Sequence, residues 1–244
     1  MKNIVVEGHR GWCAKYPENT MISFAAAIEL GVDAIEFDVW LTNDKVPVIM
    51  HDGNAYRTCG VDKHLRDMTL EEAKKLEAAY TRKFGDLYVG QGVTVPTLEE
   101  LLIYCKEKRP DIKLGVEIKE YTEENVDLTV ALLKKYGFFD NCYFYAFNGR
   151  IIKYLKTKYS GRTMGYPDFQ MGEFEPDTYS YYEEIGLGMG IVKSEVAPIF
   201  ISKGLPMHMY CADTEEDVIL CIEKGADLIT ANDPTALLKY LGRL

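Results

Sequence analysis

A regular alternation of short apolar or β-branched runs with amphipathic runs continues along the whole chain, and it constrains the fold more than any other feature. The apolar runs predict strands at residues 4–7, 33–40, 46–51, 113–118, 142–146, 162–166, 185–189, 206–210 and 227–230. The amphipathic runs predict helices at residues 20–30, 97–108, 123–136, 149–158, 194–203, 214–224 and 234–241. Strands that alternate with helices pair in one direction, so this order predicts a parallel sheet.

The second and third predicted strands lie too close together in the sequence to be parallel neighbours. Only residues 42–45 separate them, whereas a parallel return needs a crossover of about a dozen residues or more. The third strand must therefore return in an antiparallel hairpin, which leaves the eight strands that close a (β/α)8 barrel. The length of 244 residues also suits such a barrel, which typically takes about 250. We therefore predict a single TIM-barrel domain over residues 1–244.

One long segment interrupts the barrel repeat. Residues 53–94 form an excursion that carries a short predicted helix at 70–79. Long loops near the active face of a barrel often cover the substrate, although a purely structural flap is an equal alternative at this point. The fold prediction is thus a TIM barrel with an antiparallel hairpin after the second strand and an inserted loop segment near the active face.

Composition and charge limit the classes of partner. The formal net charge of -10 repels nucleic-acid backbones and anionic lipid, so we expect no nucleic-acid partner. No run approaches the ~18 apolar residues of a membrane span, and the first residues lack the pattern of a signal peptide, so we expect a cytoplasmic protein. The six cysteines contain no CxxC pair and predict reduced thiols. An anionic substrate would need a local positive centre, and the sequence leaves the oligomeric state open.

Two carboxylates share one face of the second predicted strand. Glu36 and Asp38 lie two residues apart, so their side chains point the same way. A bound cation would relieve their repulsion, although exposed strand carboxylates are the commoner explanation of such a pair on its own. A tight turn in the hairpin places residues whose numbers sum to about 87–89 opposite each other, which brings His51 beside Glu36 or Asp38. Asp52 either orients the histidine ring or begins the next loop.

Two further strand ends carry polar side chains. Glu117 and Lys119 share a face where the strand at 113–118 ends, and there an active-face pair and a plain salt bridge are equal readings. At the end of the first strand, His9 is flanked by glycines and therefore accessible, and Arg10 offers a bidentate donor suited to phosphate or carboxylate. Residues 17–20, Pro-Glu-Asn-Thr, are typical of a capped helix start.

The ordered set of these motifs closely resembles the glycerophosphodiester phosphodiesterase family. The set comprises HRG at 9–11, PENT at 17–20, E-x-D at 36–38, HD at 51–52, PTLEE at 96–100 and EIK at 117–119. The likeness is dense from residue 8 to 52, with an echo at 57–58, and resumes from 95 to 119. It returns weakly at 225–234, whereas residues 121–205 carry little beyond the barrel rhythm. Together the motifs are highly specific; singly they are not.

The resemblance implies a role for each matching position. The implied metal ligands are Glu36, Asp38 and Glu117. The implied catalytic pair is His9 and His51, and the implied phosphate contacts are Arg10 and Lys119. Three carboxylates without sulfur favour one Mg2+ or Ca2+ as the cofactor. Where the family usually carries a tryptophan near the end of the seventh barrel strand, this chain has Tyr210, which could still wall the substrate pocket but leaves the leaving group in doubt.

These residues predict metal-dependent hydrolysis of small glycerophosphodiesters, such as glycerophosphocholine or glycerophosphoethanolamine, to glycerol 3-phosphate and an alcohol. A histidine pKa near ~6.5 suits both proton transfers, so His9 and His51 are expected to act as a base–acid pair on opposite sides of the phosphorus. Which histidine is the base, and whether water or a glycerol hydroxyl attacks, stays open. The alternatives are phospholipase C- or D-like hydrolysis of lysophospholipid or phosphoinositide diesters and, further away, a non-catalytic barrel that binds a phosphorylated ligand. His208 is expected to be a paired histidine inside the barrel, and His64 a surface residue.

Overall fold

The computed structural model describes residues 3–244 and confirms the barrel. Its strands are β1 (Val5–Gly8), β2 (Ala34–Leu41), β3 (Pro47–Ile49), β4 (Lys113–Ile118), β5 (Cys142–Tyr145), β6 (Thr163–Gly165), β7 (Glu184–Gly188), β8 (Met207–Tyr210) and β9 (Leu228–Ala231). Its helices are α1 (Met21–Leu30), α2 (Tyr56–Cys59), α3 (Leu70–Ala73), α4 (Thr81–Phe84), α5 (Leu98–Lys108), α6 (Glu123–Tyr136), α7 (Gly149–Tyr159), α8 (Met189–Val192), α9 (Ala197–Ile201), α10 (Glu215–Glu223) and α11 (Thr235–Tyr240). The eight barrel strands pair in the order β1-β2-β4-β5-β6-β7-β8-β9, and every pairing is parallel. Because β9 also pairs with β1, the barrel is closed.

The extra strand β3 pairs antiparallel with the outside of β2, as the short connection requires. Val39 lies opposite Ile49 and Trp40 opposite Val48, so the paired numbers sum to 88, within the predicted range. The Met50 N–H donates to the Asp38 carbonyl at 3.1 Å, which continues the pairing to the residue before His51. The hairpin therefore returns the chain to the level of the carboxylates on β2.

Threonine caps explain where four of the long helices begin. The side chain of each cap accepts a hydrogen bond from the backbone N–H three residues later, which satisfies one of the free donors at a helix start. The caps are Thr20 before α1, Thr97 before α5, Thr122 before α6 and Thr214 before α10. The helix starts predicted at these points are confirmed to within about a residue.

Alternation along the barrel strands separates the hydrophobic core from the barrel interior. On β2, Ile35, Phe37 and Val39 are fully buried in the core between barrel and helices. The intervening Glu36 and Asp38 point into the barrel, and the same pattern on the other strands lines the interior with polar and aromatic groups. A barrel usually fills this space with branched aliphatic side chains, so the polar lining marks the interior as a functional cavity.

The excursion differs from the sequence prediction in its details. The helix predicted at 70–79 ends at Ala73, because the Ala78 N–H donates to the Val93 carbonyl at 2.8 Å and the chain pairs there instead. The short helices α2 and α4 were not predicted. The segment packs on an apolar cluster that its own Leu65 and Met68 form together with the flanking Met50 and Val95.

Two smaller expectations were wrong in their boundaries. The helix predicted at 194–203 is confined to α9 (Ala197–Ile201), and Met189, predicted to end a strand, begins the separate turn α8.

All six cysteines are free thiols, as expected. No helix within residues 3–244 is long and apolar enough to span a bilayer.

Candidate active site

Three carboxylates meet at the mouth of the barrel on two adjacent strands. β2 supplies Glu36 and Asp38, and β4 supplies Glu117, which lies directly beside Asp38 in the strand register. One oxygen of each lies within 4.8 Å of the others, and all three side chains are almost completely buried. The chain thus brings together the three acids that were singled out from the sequence, in a space that water barely reaches.

Burial and mutual repulsion set the charge of this cluster. Burial and the charge of Asp38 raise the pKa of Glu36 well above its usual range. Burial also raises the pKa of Glu117 to about 7, although the ammonium group of Lys119 acts against it. Burial acts to raise the pKa of Asp38 as well, but Lys119 and Arg10 outweigh it and hold that pKa below the usual range. Without a further cation, the cluster cannot carry three negative charges at neutral pH.

The donor set fits a divalent cation that prefers oxygen ligands. Asp38 Oδ1 and Glu117 Oε1 are buried and have no directed hydrogen bond among residues 3–244. The Nζ of Lys119 lies 3.3 Å from the first and 2.7 Å from the second, so one ammonium serves both. Buried acceptors that lack a full set of partners are costly unless a ligand satisfies them. Carboxylate oxygens without sulfur are the ligands of Mg2+ and Ca2+.

His9 is held by a relay of side chains from the far end of the chain. Its Nδ1 lies 2.7 Å from Asn232 Oδ1, and Asn232 Nδ2 donates to Asp213 Oδ2 at 2.7 Å. Because the carboxylate of Asp213 can only accept, the amide oxygen of Asn232 must face His9, which places the ring proton on Nδ1. Nε2 then keeps its lone pair, 3.8 Å from Glu36 Oε2. Burial and the charge of Arg10 lower the pKa of His9 to about 4, so the ring is neutral at neutral pH.

His51 has a different partner. Its Nδ1 lies 2.6 Å from Asp52 Oδ1, so Asp52 orients the ring rather than only beginning a loop. Arg57 donates from Nε to the other oxygen of Asp52 at 2.6 Å. Burial and the charges of Arg10 and Lys119 lower the pKa of His51, while the charge of Asp38 and the hydrogen bond with Asp52 act in the opposite direction. The two histidines therefore face the same cavity with unlike support, an amide behind one and a carboxylate behind the other.

The positively charged side chains of Arg10 and Lys119 contact the rim of the carboxylate cluster. Arg10 donates from Nη1 to Glu18 Oε1 at 2.7 Å, and its Nε lies 3.5 Å from Asp38 Oδ2. Lys119 is almost buried between Asp38 and Glu117. Sequence reasoning left the Glu117 and Lys119 pair undecided between a salt bridge and an active-face role; the geometry gives a salt bridge that lines the cavity.

Several residues of the site were missed from the sequence. Residues 17–20 were read as a helix start, and Thr20 is indeed the cap. Glu18, however, also joins Arg10 to Arg57, and Asn19 donates to Asp38 Oδ2 at 2.7 Å. The relay partners of His9 were missed as well. Glu18 and Asn19 could have been found from their position, since two polar residues stand between Gly11 and a capped helix. The sequence alone did not indicate in which direction their side chains point.

The cavity that these groups surround has a volume of about 200 Å³ and opens at the mouth of the barrel. Of the eight residues singled out from the sequence, seven line it, and Asp38 lies behind them in the carboxylate cluster. The cavity is also lined by Tyr145, Phe147, Tyr166 and Tyr210, which were not predicted apart from Tyr210.

The other two histidines match or modify their predictions. His208 is buried beneath the cavity and pairs with Glu184 inside the barrel, as expected of a paired interior histidine. His64 is half-buried rather than fully at the surface, because its ring packs edge-on against Trp40 with 5.1 Å between ring centroids.

Comparison with known proteins identifies the family. A model of the glycerophosphoryl diester phosphodiesterase family matches residues 9–236. A glycerophosphodiester phosphodiesterase of Caldanaerobacter subterraneus subsp. tengcongensis is 31% identical over 252 aligned residues, which cover 99% of this chain and 98% of that protein.

Solved structures share the fold. A putative glycerophosphoryl diester phosphodiesterase of Silicibacter pomeroyi superposes with a TM-score of 0.84 at 23% identity, over 98% of this chain and 93% of that one. A phosphodiesterase of Oleispira antarctica, solved in complex with its product sn-glycerol-3-phosphate, gives a TM-score of 0.84 at 23% identity, over 98% and 96%. At these identities the superpositions support the barrel, and the sequence matches support the family. The chain belongs to the glycerophosphoryl diester phosphodiesterase family and is a phosphodiesterase.

Proposed function

We propose that residues 1–244 form a single domain that hydrolyses small glycerophosphodiesters, such as glycerophosphocholine or glycerophosphoethanolamine, to glycerol 3-phosphate and an alcohol. The observation that carries the proposal is the convergence of three carboxylates, two histidines and two cations around one cavity. The product bound to the Oleispira antarctica relative supports glycerol 3-phosphate as the common part of the substrates.

The cofactor of the proposed reaction is one divalent cation, Mg2+ or Ca2+. Glu36, Asp38 and Glu117 would hold it, because their oxygens converge and two of them lack directed hydrogen bonds among residues 3–244. Such an ion, when bound, supplies positive charge to the phosphate oxygens and lowers the pKa of an oxygen nucleophile beside it. It would also supply a local positive centre for an anionic ester in a chain whose net charge is -10.

His9 is the proposed general base. The relay through Asn232 fixes the proton on Nδ1, and the low pKa leaves the ring neutral, so the Nε2 lone pair is free to accept a proton. A base must be unprotonated before it acts, which the burial of His9 ensures at neutral pH. The proton comes from the attacking oxygen, whether that oxygen belongs to water or to the adjacent glycerol hydroxyl.

His51 is the proposed general acid. The carboxylate of Asp52 at 2.6 Å from Nδ1 favours the charged imidazolium and so opposes the burial that lowers the pKa of His51, and Arg57 keeps that carboxylate in place. A protonated ring can donate from Nε2 to the departing alkoxide, which would otherwise be a poor leaving group. The difference between an amide partner and a carboxylate partner supports this division of the two roles.

Arg10 and Lys119 are the proposed ligands of the non-bridging phosphate oxygens. Both side chains line the cavity and are held from behind by carboxylates. Charge-assisted bonds from these fixed groups would strengthen as negative charge develops on the phosphoryl oxygens.

A substrate panel tests the proposal. Purified protein is assayed for glycerol 3-phosphate and alcohol with glycerophosphocholine, glycerophosphoethanolamine, lysophosphatidylcholine and a glycerophosphoinositol, each with Mg2+, Ca2+ or EDTA. We expect release from the water-soluble diesters with a divalent cation and none with EDTA. Turnover of lysophosphatidylcholine alone would favour the phospholipase D-like alternative. Ligand-induced stabilisation without product release would favour a non-catalytic barrel, and full activity in EDTA would reject the metal.

A further inference from the structure

The excursion at residues 53–94 sends one arginine towards the active site. Arg57 lies in α2, and its side chain is 29% exposed. It does not line the cavity, so it has no contact with the space in which a substrate would lie. The proposed function gives Arg57 only the task of holding Asp52. It does not account for the three further hydrogen bonds that fix the same guanidinium group.

The guanidinium group of Arg57 donates four hydrogen bonds to three side chains. Nε donates to Asp52 Oδ2 at 2.6 Å. Nη1 and Nη2 donate to the two oxygens of Glu18 at 2.9 and 2.7 Å, and Nη1 also donates to the Tyr80 hydroxyl at 2.9 Å. A two-pronged contact between guanidinium and carboxylate fixes the plane of both groups, which a single ammonium cannot do. Arg57 is therefore held in one orientation.

These hydrogen bonds place Arg57 at the centre of a chain that joins two groups of the proposed active site. At one end Asp52 Oδ1 lies 2.6 Å from the Nδ1 of His51, and at the other Glu18 Oε1 accepts from Nη1 of Arg10 at 2.7 Å. The chain runs from His51 through Asp52, Arg57 and Glu18 to Arg10. Basic and acidic groups alternate along it, so each ionised group has a partner of opposite charge.

Arg57 keeps both carboxylates of this chain ionised. Burial acts to raise the pKa of Glu18 and of Asp52, but the hydrogen bonds from Arg57 and the neighbouring positive charges outweigh it and hold both below the usual range. An ionised carboxylate can only accept, so Asp52 takes its hydrogen bond from a protonated Nδ1 of His51. Nε2 is then the nitrogen that remains to serve the leaving group.

The excursion itself fixes the position of Arg57. The Tyr80 N–H donates to the Thr58 carbonyl at 3.0 Å, so Tyr80 is tied to α2 through its backbone as well as its hydroxyl. Tyr80 adopts a φ of 50°, in the left-handed region that bulky side chains seldom adopt. Such a conformation persists only where the surrounding contacts enforce it. The Ala55 N–H donates to the Lys63 carbonyl at 3.0 Å and ties the residue before α2 to the same segment.

We propose that Arg57 is a positioning residue for proton donation, and that the excursion contributes to catalysis through it. Held by Glu18 and Tyr80, the guanidinium group keeps Asp52 where it aims the ring of His51 at the departing oxygen. An acid that is free to turn away loses the rate advantage of a fixed geometry. This inference rests on the proposed function, since it concerns the acid of the same reaction.

The test compares two esters of glycerol 3-phosphate whose alcohols differ in their need for a proton. The choline group of glycerophosphocholine leaves as an alkoxide that must be protonated, whereas a p-nitrophenyl group leaves as a phenolate that is stable without a proton. In Arg57→Met we expect kcat/KM to fall roughly 10–100-fold more for the choline ester than for the p-nitrophenyl ester. Both esters are measured on one preparation, so a loss of folded protein cancels from their ratio. A loss common to both esters, as from a weaker hold of Glu18 on Arg10, cancels as well.

A second variant separates the geometry of Arg57 from its charge. Arg57→Lys keeps the positive charge, but one ammonium cannot contact Asp52 and both oxygens of Glu18 at the same time. The ratio of the two esters should therefore fall in this variant too. If Arg57→Met does not fold, Arg57→Lys decides alone.

A double variant and a matched control locate the effect. His51→Ala should lower the ratio at least as far as Arg57→Met, and the double variant should lower it no further, because Arg57 acts through His51. Arg82→Met is the control, since Arg82 belongs to the same excursion but packs over the Tyr56 ring, 4.1 Å from its centroid. It should leave the ratio as in the wild type.

Each outcome decides for or against the positioning role. An equal fall for both esters, or no fall, in Arg57→Met and Arg57→Lys would overturn it and leave the phosphodiesterase proposal standing. A further fall of the ratio in the double variant would also overturn it, since Arg57 would then act independently of His51. If the wild type hydrolyses neither ester nor any other glycerophosphodiester, the proposed function fails and this inference fails with it.

Discussion

Removal of the proposed divalent cation should expose the cost of ionising the carboxylate cluster, and the pKa of Glu117 gives the size of that cost. Burial raises the pKa of Glu117 from 4.5 to about 7, even with the Lys119 ammonium 2.7 Å away. Each unit of pKa difference between the folded and unfolded states corresponds to about 1.4 kcal/mol. Ionised Glu117 therefore costs the metal-free fold about 3 kcal/mol once the pH is above 7.

The direction of the pH dependence follows from which state binds the proton. Between pH 4.5 and about 7 the folded protein keeps a proton on Glu117 that the unfolded chain has lost. The stabilisation is thus fully present below pH 4.5 and is lost as the pH rises through 7. In EDTA, this group alone should lower the free energy of unfolding by roughly 2–3 kcal/mol between pH 5 and pH 8. For a chain of this size the melting temperature would fall by roughly 5–10 °C.

Thermal melts of metal-free wild type and Glu117→Gln across that pH range isolate the effect. Glutamine is neutral throughout, so the variant should lack this part of the slope, while titrating groups remote from the carboxylate cluster contribute equally to both proteins. Glu195→Gln, at an exposed site, is the matched control and should follow the wild type. Because ligands must be ionised to bind, the rise in melting temperature caused by Mg2+ or Ca2+ should be larger at pH 8 than at pH 5.5. Parallel curves for wild type and Glu117→Gln in EDTA would refute the reasoning.

Three further predictions test the histidines, their support and the packing of the barrel. His9→Ala and His51→Ala should each cut turnover by roughly 10²–10⁴ with an unchanged circular dichroism spectrum, and wild-type rates in either would reject the acid–base assignment. Asn232→Asp places a carboxylate behind His9 and should raise its pKa, so the acidic limb of the kcat/KM profile should move to higher pH; an unmoved limb would contradict the relay. Gly165→Ala should lower the free energy of unfolding by roughly 1–3 kcal/mol in denaturant titrations, because the added methyl group would overlap the ring of Tyr182. Gly190→Ala is the control, because its methyl group would enter open space and should leave the free energy of unfolding unchanged.

The sequence predicted those parts of the site that are set by local geometry. Glu36 and Asp38 share a face because strand side chains alternate, and this holds whatever the rest of the fold. The position of His51 beside these carboxylates follows from the length of the hairpin, which fixes the strand register within about one residue. The eight-stranded closure followed from counting strands after the hairpin was recognised.

The parts that the sequence did not predict depend on contacts between distant segments. Asn232 lies 223 residues from His9 and meets it only because β9 closes the barrel against β1. Glu18 and Asn19 were read as a helix start, but Asn19 adopts a positive φ of 56° that turns its amide towards Asp38. The sequence pattern marks such residues as turn formers and does not state which way the turn points.

Barrel closure also explains how one fold gives its two histidines different chemistry. His9 lies where the first and last strands pair, and its backbone N–H donates to the Ala231 carbonyl at 2.9 Å. Its ring contacts the side-chain amide of Asn232, which lies in the loop after the last strand. His51 lies on a hairpin formed within fifteen residues of Glu36, and its carboxylate partner is the next residue in the chain. The support of the proposed base His9 therefore depends on the complete barrel, while that of the proposed acid His51 depends on a local turn. A substitution that weakens the pairing of β1 with β9 should reduce proton abstraction by His9 before it affects proton donation by His51. The reason is that only the tautomer of His9 depends on a residue beyond the last strand.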